Sequence, residues 1–240
     1  MNIIVCKDYD EMSAKAADEL AKQINDKPNS VLGLATGSTP EGMYACLVEM
    51  YKSGKLDFSD ITTVNLDEYY PITPDNDQSY RYFMNYHLFD KVNIDKSRTF
   101  VPDGTAKDPA TFCRDYEARI AELGGVDLQV LGIGKNGHIG FNEPGPVLYP
   151  DTHLTDLTDS TIEANARFFA SADDVPKQAL TMGIASILRA KKIVIMASGE
   201  GKHAAVAKML GGTIETTCPA TLLALHPNVT LICDEAAYNG

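Results

Sequence analysis

The chain has 240 residues, 44% of them apolar and 22% charged, with a formal net charge of −12 at pH 7. That length can bury a sizeable core as one unit, and no apolar run approaches the ~20 residues of a membrane span. The acidic balance excludes a nucleic-acid partner, whose phosphates demand a basic surface, but leaves room for a small anion in a locally positive pocket.

The N-terminal stretch MNIIVCKDYDEM has no basic region followed by an apolar core, so no signal peptide is expected. Asn2–Cys6 reads as a strand and Asp10–Asn25 as a helix with Ala, Leu and Ile on one face. A strand over Ser30–Ala35 leads through Thr36-Gly37-Ser38-Thr39 to a helix opening at Pro40, a favoured first helical residue. Ile61–Leu66 is the third predicted strand, followed by helices over Gln78–Phe89 and Phe112–Leu123 and a strand over Asp127–Ile133. A polar stretch from Pro146 to about Phe169 breaks the pattern and is expected to form a mobile lid over roughly 146–169. Then come a helix over Lys177–Arg189, a strand over Lys192–Ala197, a helix over Lys202–Leu210 and a last strand over Val229–Cys233. Strand–helix alternation of this kind predicts a single α/β domain over residues 1–240, with a mostly parallel sheet and helices on both faces. Such sheets bind ligands in the loops beyond the carboxyl ends of their strands.

The most informative of those loops is Gly132–Gly145, GIGKNGHIGFNEPG, after the apolar stretch Val126–Leu131. It places His138, Asn136, Asn142 and Glu143 among five glycines, where the backbone turns sharply and approaches a ligand closely. His138 is the candidate acid/base, because an imidazole exchanges protons near neutrality. Glu143 is placed to orient or charge-tune it. Gly132-x-Gly134-x-x-Gly137 matches the dinucleotide fingerprint, but that motif needs a helix at its third glycine. Two more glycines and Pro144 follow instead, which predicts a long loop.

Three other turns carry suitable groups. Gly37, Ser38 and Thr39 supply amides and hydroxyls at a helix start, a natural phosphate cradle, although an ordinary N-cap by Ser38 or Thr39 would explain the same residues. Leu66-Asp67-Glu68-Tyr69-Tyr70 ends the third strand; its two carboxylates point in different directions, and Asp67 is the candidate base. Ser198-Gly199-Glu200-Gly201-Lys202 puts a lysine where it opposes the helix dipole, which suggests an anion nearby. Arg167, beside Phe168 and Phe169, is a second candidate anion clamp. The five cysteines are odd in number and contain no C-x-x-C pair, which fits reduced thiols in a cytoplasmic protein. No histidine pair has the helical spacing of a metal site, so no bound metal is expected.

Taken together, ATGSTP at 35–40, LDEYY at 66–70, GIGKNGHIGFNEPG at 132–145, ARFF at 166–169 and GEGKH at 199–203 resemble the glucosamine-6-phosphate deaminase family, in order and over essentially the whole chain. The resemblance implies a Rossmann-like α/β fold and conversion of glucosamine 6-phosphate and water to fructose 6-phosphate and ammonia, with no organic cofactor and no catalytic metal. It implies that Asp67 is the enolisation base moving a proton between carbons 2 and 1. It further implies that His138 opens the pyranose ring and that Glu143 is its carboxylate partner. Asn136 stands where some members carry an aspartate, which leaves His138 one charged partner rather than two. For the sugar phosphate the matching residues are Gly37, Ser38, Thr39, Arg167 and Lys202. The acidic composition and the short stretch after Asp234 resemble the smaller, monomeric, non-allosteric members. In the larger members, basic side chains just after the catalytic loop bind an effector; the matching stretch here, Tyr149–Asp156, has two aspartates and no lysine or arginine. 6-Phosphogluconolactonase shares the Gly-rich loop and the phosphate turn but needs no enolisation base. Sugar-phosphate sensors of related fold carry a DNA-binding segment, which a chain starting at its first strand is not expected to have.

Overall fold

The computed structural model of the chain describes residues 1–165, 169 and 174–240. Strand β1 (Asn2–Cys6) is followed by helix α1 (Tyr9–Asp26), whose start is fixed by Asp8 accepting the Glu11 amide at 2.9 Å. Its buried face, Met12, Ala16, Ala17, Leu20 and Ile24, has the spacing of a single helical stripe. Strand β2 (Val31–Leu34) and helix α2 (Glu41–Lys52) come next, and α2 packs on α1. Strand β3 (Thr62–Asn65) leads directly into β4 (Asp67–Tyr70) and then helix α3 (Tyr80–His87), capped by Ser79. A short β5 (Thr99–Phe100) precedes α4 (Pro109–Glu122), which starts with proline behind the capping side chain of Asp108. After β6 (Leu128–Gly132) the chain forms β7 (His153–Asp156), α5 (Asp159–Asn165), β8 (Gln178–Thr181) and α6 (Ile184–Leu188). It ends with β9 (Ile193–Ala197), α7 (His203–Leu210), β10 (Val229–Asp234) and α8 (Glu235–Asn239).

Seven strands form one sheet in the order β1-β10-β9-β6-β2-β3-β5, with every neighbouring pair parallel. The helices pack around it, and the expected Rossmann-like architecture stands. Strands β2 and β9 are buried throughout, as continuous apolar strands of a covered parallel sheet should be. From β2 the chain steps outward to β3 and β5, then returns to the other side of β2 as β6. The sheet order therefore reverses between β2 and β6, where doubly wound sheets open a crevice. Among the described residues no helix is long and apolar enough to cross a membrane.

Two expectations change. Residues 178–181 are a strand rather than the start of a helix. They pair antiparallel with β4 on one side and β7 on the other, forming a second, three-stranded sheet in the order β4-β8-β7. Gly183 caps the turn, and only Ile184–Leu188 is helical. A side chain at Gly183 would stand 2.4–2.6 Å from the Pro150 and Asp151 backbone, so this close crossing requires glycine. The sequence LDEYY likewise does not end β3: the chain leaves the large sheet after Asn65 and enters the small one at Asp67.

Candidate active site

The notable turns lie at the carboxyl ends of four adjacent strands, β9, β6, β2 and β3. No helix follows Gly137, so the dinucleotide arrangement is absent; residues 134–152 run as turns, bends and irregular backbone. Two close approaches shape this loop. Gly137 has φ +86°, and a Cβ there would stand 2.3 Å from Cys218 Sγ. A Cβ on Gly134 would stand 2.5 Å from the His138 ring, which therefore lies flat against bare backbone.

Around His138 the loop builds a tight polar cluster. Imidazole Nδ1 lies 3.1 Å from Glu143 Oε1. The other oxygen, Oε2, accepts the Asn136 amide at 2.7 Å, and Asn136 Oδ1 accepts the His138 backbone N–H at 3.1 Å. The Thr161 hydroxyl, from α5, donates to Glu143 Oε1 at 2.6 Å. Burial opposes ionisation of Glu143, but the hydrogen bonds and charge of His138 and the donors Thr161 and Asn136 outweigh it, and hold its carboxyl down at about 2. Glu143 is thus a fixed anion near neutrality. Its Oε1 lies beside the imidazole, and it is far too weak a base to take the proton itself.

Asp67 faces the same loop. Its Oδ2 stands 3.6 Å from where a Cβ on Gly140 would lie. The side chain is 7% exposed. Burial, reinforced by the neighbouring Glu68 charge, pushes its pKa up to about 8. Glu68 points elsewhere, as alternation along a strand requires. Its carboxylate accepts the backbone amides of Tyr69 and Tyr80 at 2.9 and 2.8 Å and of Arg81 at 3.0 Å, fastening the first turn of α3 to β4. Burial lifts Glu68 to about 7 despite those donors and the Arg81 charge. Tyr80 stacks on Phe141 with centroids 6.1 Å apart, and Tyr69 packs against both rings, making an aromatic wall beside Asp67.

The turn over Gly37, Ser38 and Thr39 is built differently from the capping alternative. Pro40 occupies the N-cap of α2 with no side-chain cap, so neither the Ser38 nor the Thr39 hydroxyl is spent on the helix. Gly37, with φ +86°, and Ser38 are exposed. Tyr9 braces the turn, donating to the Ser38 carbonyl and accepting the Gly42 amide, both at 2.9 Å. Lys202 ends a 3-10 turn, Glu200–Lys202, and its Nζ donates to the Ile133 carbonyl at 2.6 Å. Its ammonium therefore lies at the end of β6, between the loops after β9 and β2. Arg167 lies outside the described residues. Among the described residues no group of three or more His, Cys, Asp or Glu could hold a metal ion.

Sequence reasoning missed Thr161 and Thr181, and gave Asn142 no structural role. Thr181 Oγ1 accepts the Phe141 amide at 3.0 Å, and the Asn142 amide donates to the Ile139 and Met182 carbonyls at 2.9 and 2.8 Å. The last two side chains pin the Gly-rich loop to the small sheet. Nothing in their spacing announces such long-range partners, and Asn142 read only as one polar group of the loop.

Residues 7–232 match the family described as glucosamine-6-phosphate isomerases/6-phosphogluconolactonase. The chain is 58% identical over 237 residues to a glucosamine-6-phosphate deaminase of Clostridium perfringens, covering 99% of this chain and 98% of that protein. It is 55% identical to one of Clostridioides difficile, covering 99% and 95%. It superposes on the solved structure of a monomeric glucosamine-6-phosphate deaminase with a TM-score of 0.96 at 47% identity, covering 99% and 98%. The 6-phosphogluconolactonase of Trypanosoma brucei shares the fold at a TM-score of 0.77, with 18% identity.

Proposed function

Since the chain belongs to the glucosamine-6-phosphate isomerase/6-phosphogluconolactonase family, we propose that it converts glucosamine 6-phosphate and water to fructose 6-phosphate and ammonia. The observation that carries this reading is one loop, Gly134–Gly145, with the His138–Glu143 pair on it and the buried carboxyl of Asp67 facing it. Lactone hydrolysis would leave Asp67 without a task.

The substrate phosphate is received by the backbone and hydroxyls of Gly37, Ser38 and Thr39, with Lys202 supplying charge. Arg167 is the second cation of this cradle. His138, oriented by Glu143, passes a proton to the ring oxygen as the pyranose opens. Asn136 holds Glu143 in place and exchanges no proton, so the relay contains one carboxylate. Asp67 then removes the carbon-2 proton and returns it to carbon 1 across one face of the enolamine. The ketimine left at carbon 2 adds water and releases ammonia. Asp67 must be ionised to begin. A substrate ammonium beside it favours the charged form, which offsets the effect of burial.

The chain acts as one domain and as a monomer, in line with the monomeric enzyme it superposes on. A lid over the site is proposed at residues 146–169, of which 166–168 lie outside the described residues. Five free cysteines support a cytoplasmic setting. A coupled assay for ammonia and fructose 6-phosphate tests the reading. Turnover of 6-phosphogluconolactone with no ammonia release from glucosamine 6-phosphate would replace it.

A further inference from the structure

Thr161 is 6% exposed and lies on α5, eighteen residues beyond Glu143. A helical threonine ordinarily returns its hydroxyl to a carbonyl one turn back in its own helix. Here the single hydroxyl proton goes to Glu143 Oε1 at 2.6 Å, the same oxygen that faces His138 Nδ1 at 3.1 Å. The Thr161 oxygen in turn accepts the Thr158 hydroxyl at 3.1 Å. With Asn136 on Oε2, both carboxylate oxygens are held, so the plane of the group cannot rotate. Those fixed oxygens hold the anion in place beside the imidazole, whose Nδ1 stands 3.1 Å from Oε1. We propose that Thr161 is a positioning residue for proton transfer at His138, acting through Glu143. The inference rests on the reaction assigned in the preceding subsection.

Among the described residues the titratable group facing Glu143 is His138, from the same loop; the contacts from Asn136 and from Thr161 of α5 are neutral. Removing the hydroxyl therefore withdraws one donor from the carboxylate without altering the charge around it. It also means that α5 contributes to the setting of the acid/base pair.

The test compares Thr161→Val, Thr161→Ala and Thr161→Ser. Val and Ala should each lower kcat for glucosamine 6-phosphate about 10- to 100-fold, the loss expected when a charge-assisted hydrogen bond is removed, with KM within about twofold. Ser should restore most of the rate. Independently of substrate, 13C NMR of the Glu143 carboxyl, assigned with Glu143→Gln, should show it ionised down to acid unfolding in the wild type and in Thr161→Ser. In Thr161→Val or Thr161→Ala its midpoint should move up toward the ordinary carboxylate value of about 4. Unchanged kcat and an unchanged Glu143 titration in whichever of the two hydroxyl-free variants folds would overturn the proposal. So would equal losses in Ser and Val. A wild-type enzyme that releases no ammonia would remove the proposed reaction, whereas the titration would still report on the Thr161–Glu143 contact.

Discussion

Replacing Asp67 by asparagine should silence the enzyme and stabilise it at the same time. A carboxyl whose folded pKa lies above its unfolded value binds its proton more tightly in the folded chain. Its contribution is fully present below the unfolded pKa and is lost as pH rises through the folded one. For Asp67 that window runs from the ordinary 3.8 to about 8. At 1.36 kcal/mol per unit, the penalty for carrying this group reaches about 5 kcal/mol at pH 8 and only about 1.5 kcal/mol at pH 5, as upper bounds. Relaxation and water penetration reduce such figures, so a net gain of about 2 kcal/mol at pH 8 is expected for the neutral isostere, or about 4–8 °C in Tm for a chain of this size. Thermal melts at pH 5 and pH 8 should show the variant's advantage growing with pH. Exchange of the carbon-2 proton in deuterated buffer, followed by NMR, should cease. An equal Tm difference at both pH values would show that the carboxyl is not desolvated, and retained exchange would assign the base elsewhere.

Gly134→Ala should depress kcat strongly with a small effect on stability, because its methyl would stand 2.5 Å from the His138 ring and force the imidazole off the backbone; parallel rates and melts check this. Lys202→Ala should weaken binding of the sugar phosphate about 10- to 100-fold, the effect of one charge-assisted contact, and glucosamine without phosphate should be a very poor substrate for the wild type. Saturation curves should be hyperbolic, and N-acetylglucosamine 6-phosphate should not activate. In the stretch Tyr149–Asp156, Asp151 is paired with Arg189 at 2.9 Å, and burial lowers the pKa of His153, so the segment offers a dianion little attraction. A sigmoidal curve made hyperbolic by that compound would refute this.

The parallel sheet was legible because its strands are short apolar runs between amphipathic helices, and periodicity reports that directly. The small sheet was not. Gln178–Thr181 carries Ala179 and Leu180 side by side, a pattern that suits a helix as well as a strand, and its partners are distant in sequence. The DEYY strand was hidden for the opposite reason: its acidic residues suggest a solvated turn, yet Asp67 and Glu68 are both buried. At the site, the residues of the Gly-rich loop stood out because local composition identifies them. Thr161 and Thr181 did not, since a threonine's hydrogen-bond partner depends on packing rather than on neighbours in the chain.

The amide at position 136 also changes how the acid/base cluster can titrate. Two carboxylates around one imidazole would share protons, and their macroscopic steps would belong to the group rather than to any residue. Here the neighbour of Glu143 is a donor held at 2.7 Å that carries no charge, and Glu143 itself stays ionised to about 2. The cluster therefore contains one carboxylate, held as an anion near neutrality, beside one imidazole. The Asp67 ionisation should be separable from ring opening in a pH–rate profile by comparing cyclic and open-chain substrates. For a chain of net charge −12 that binds a dianion, the same substitution removes one negative charge from the site.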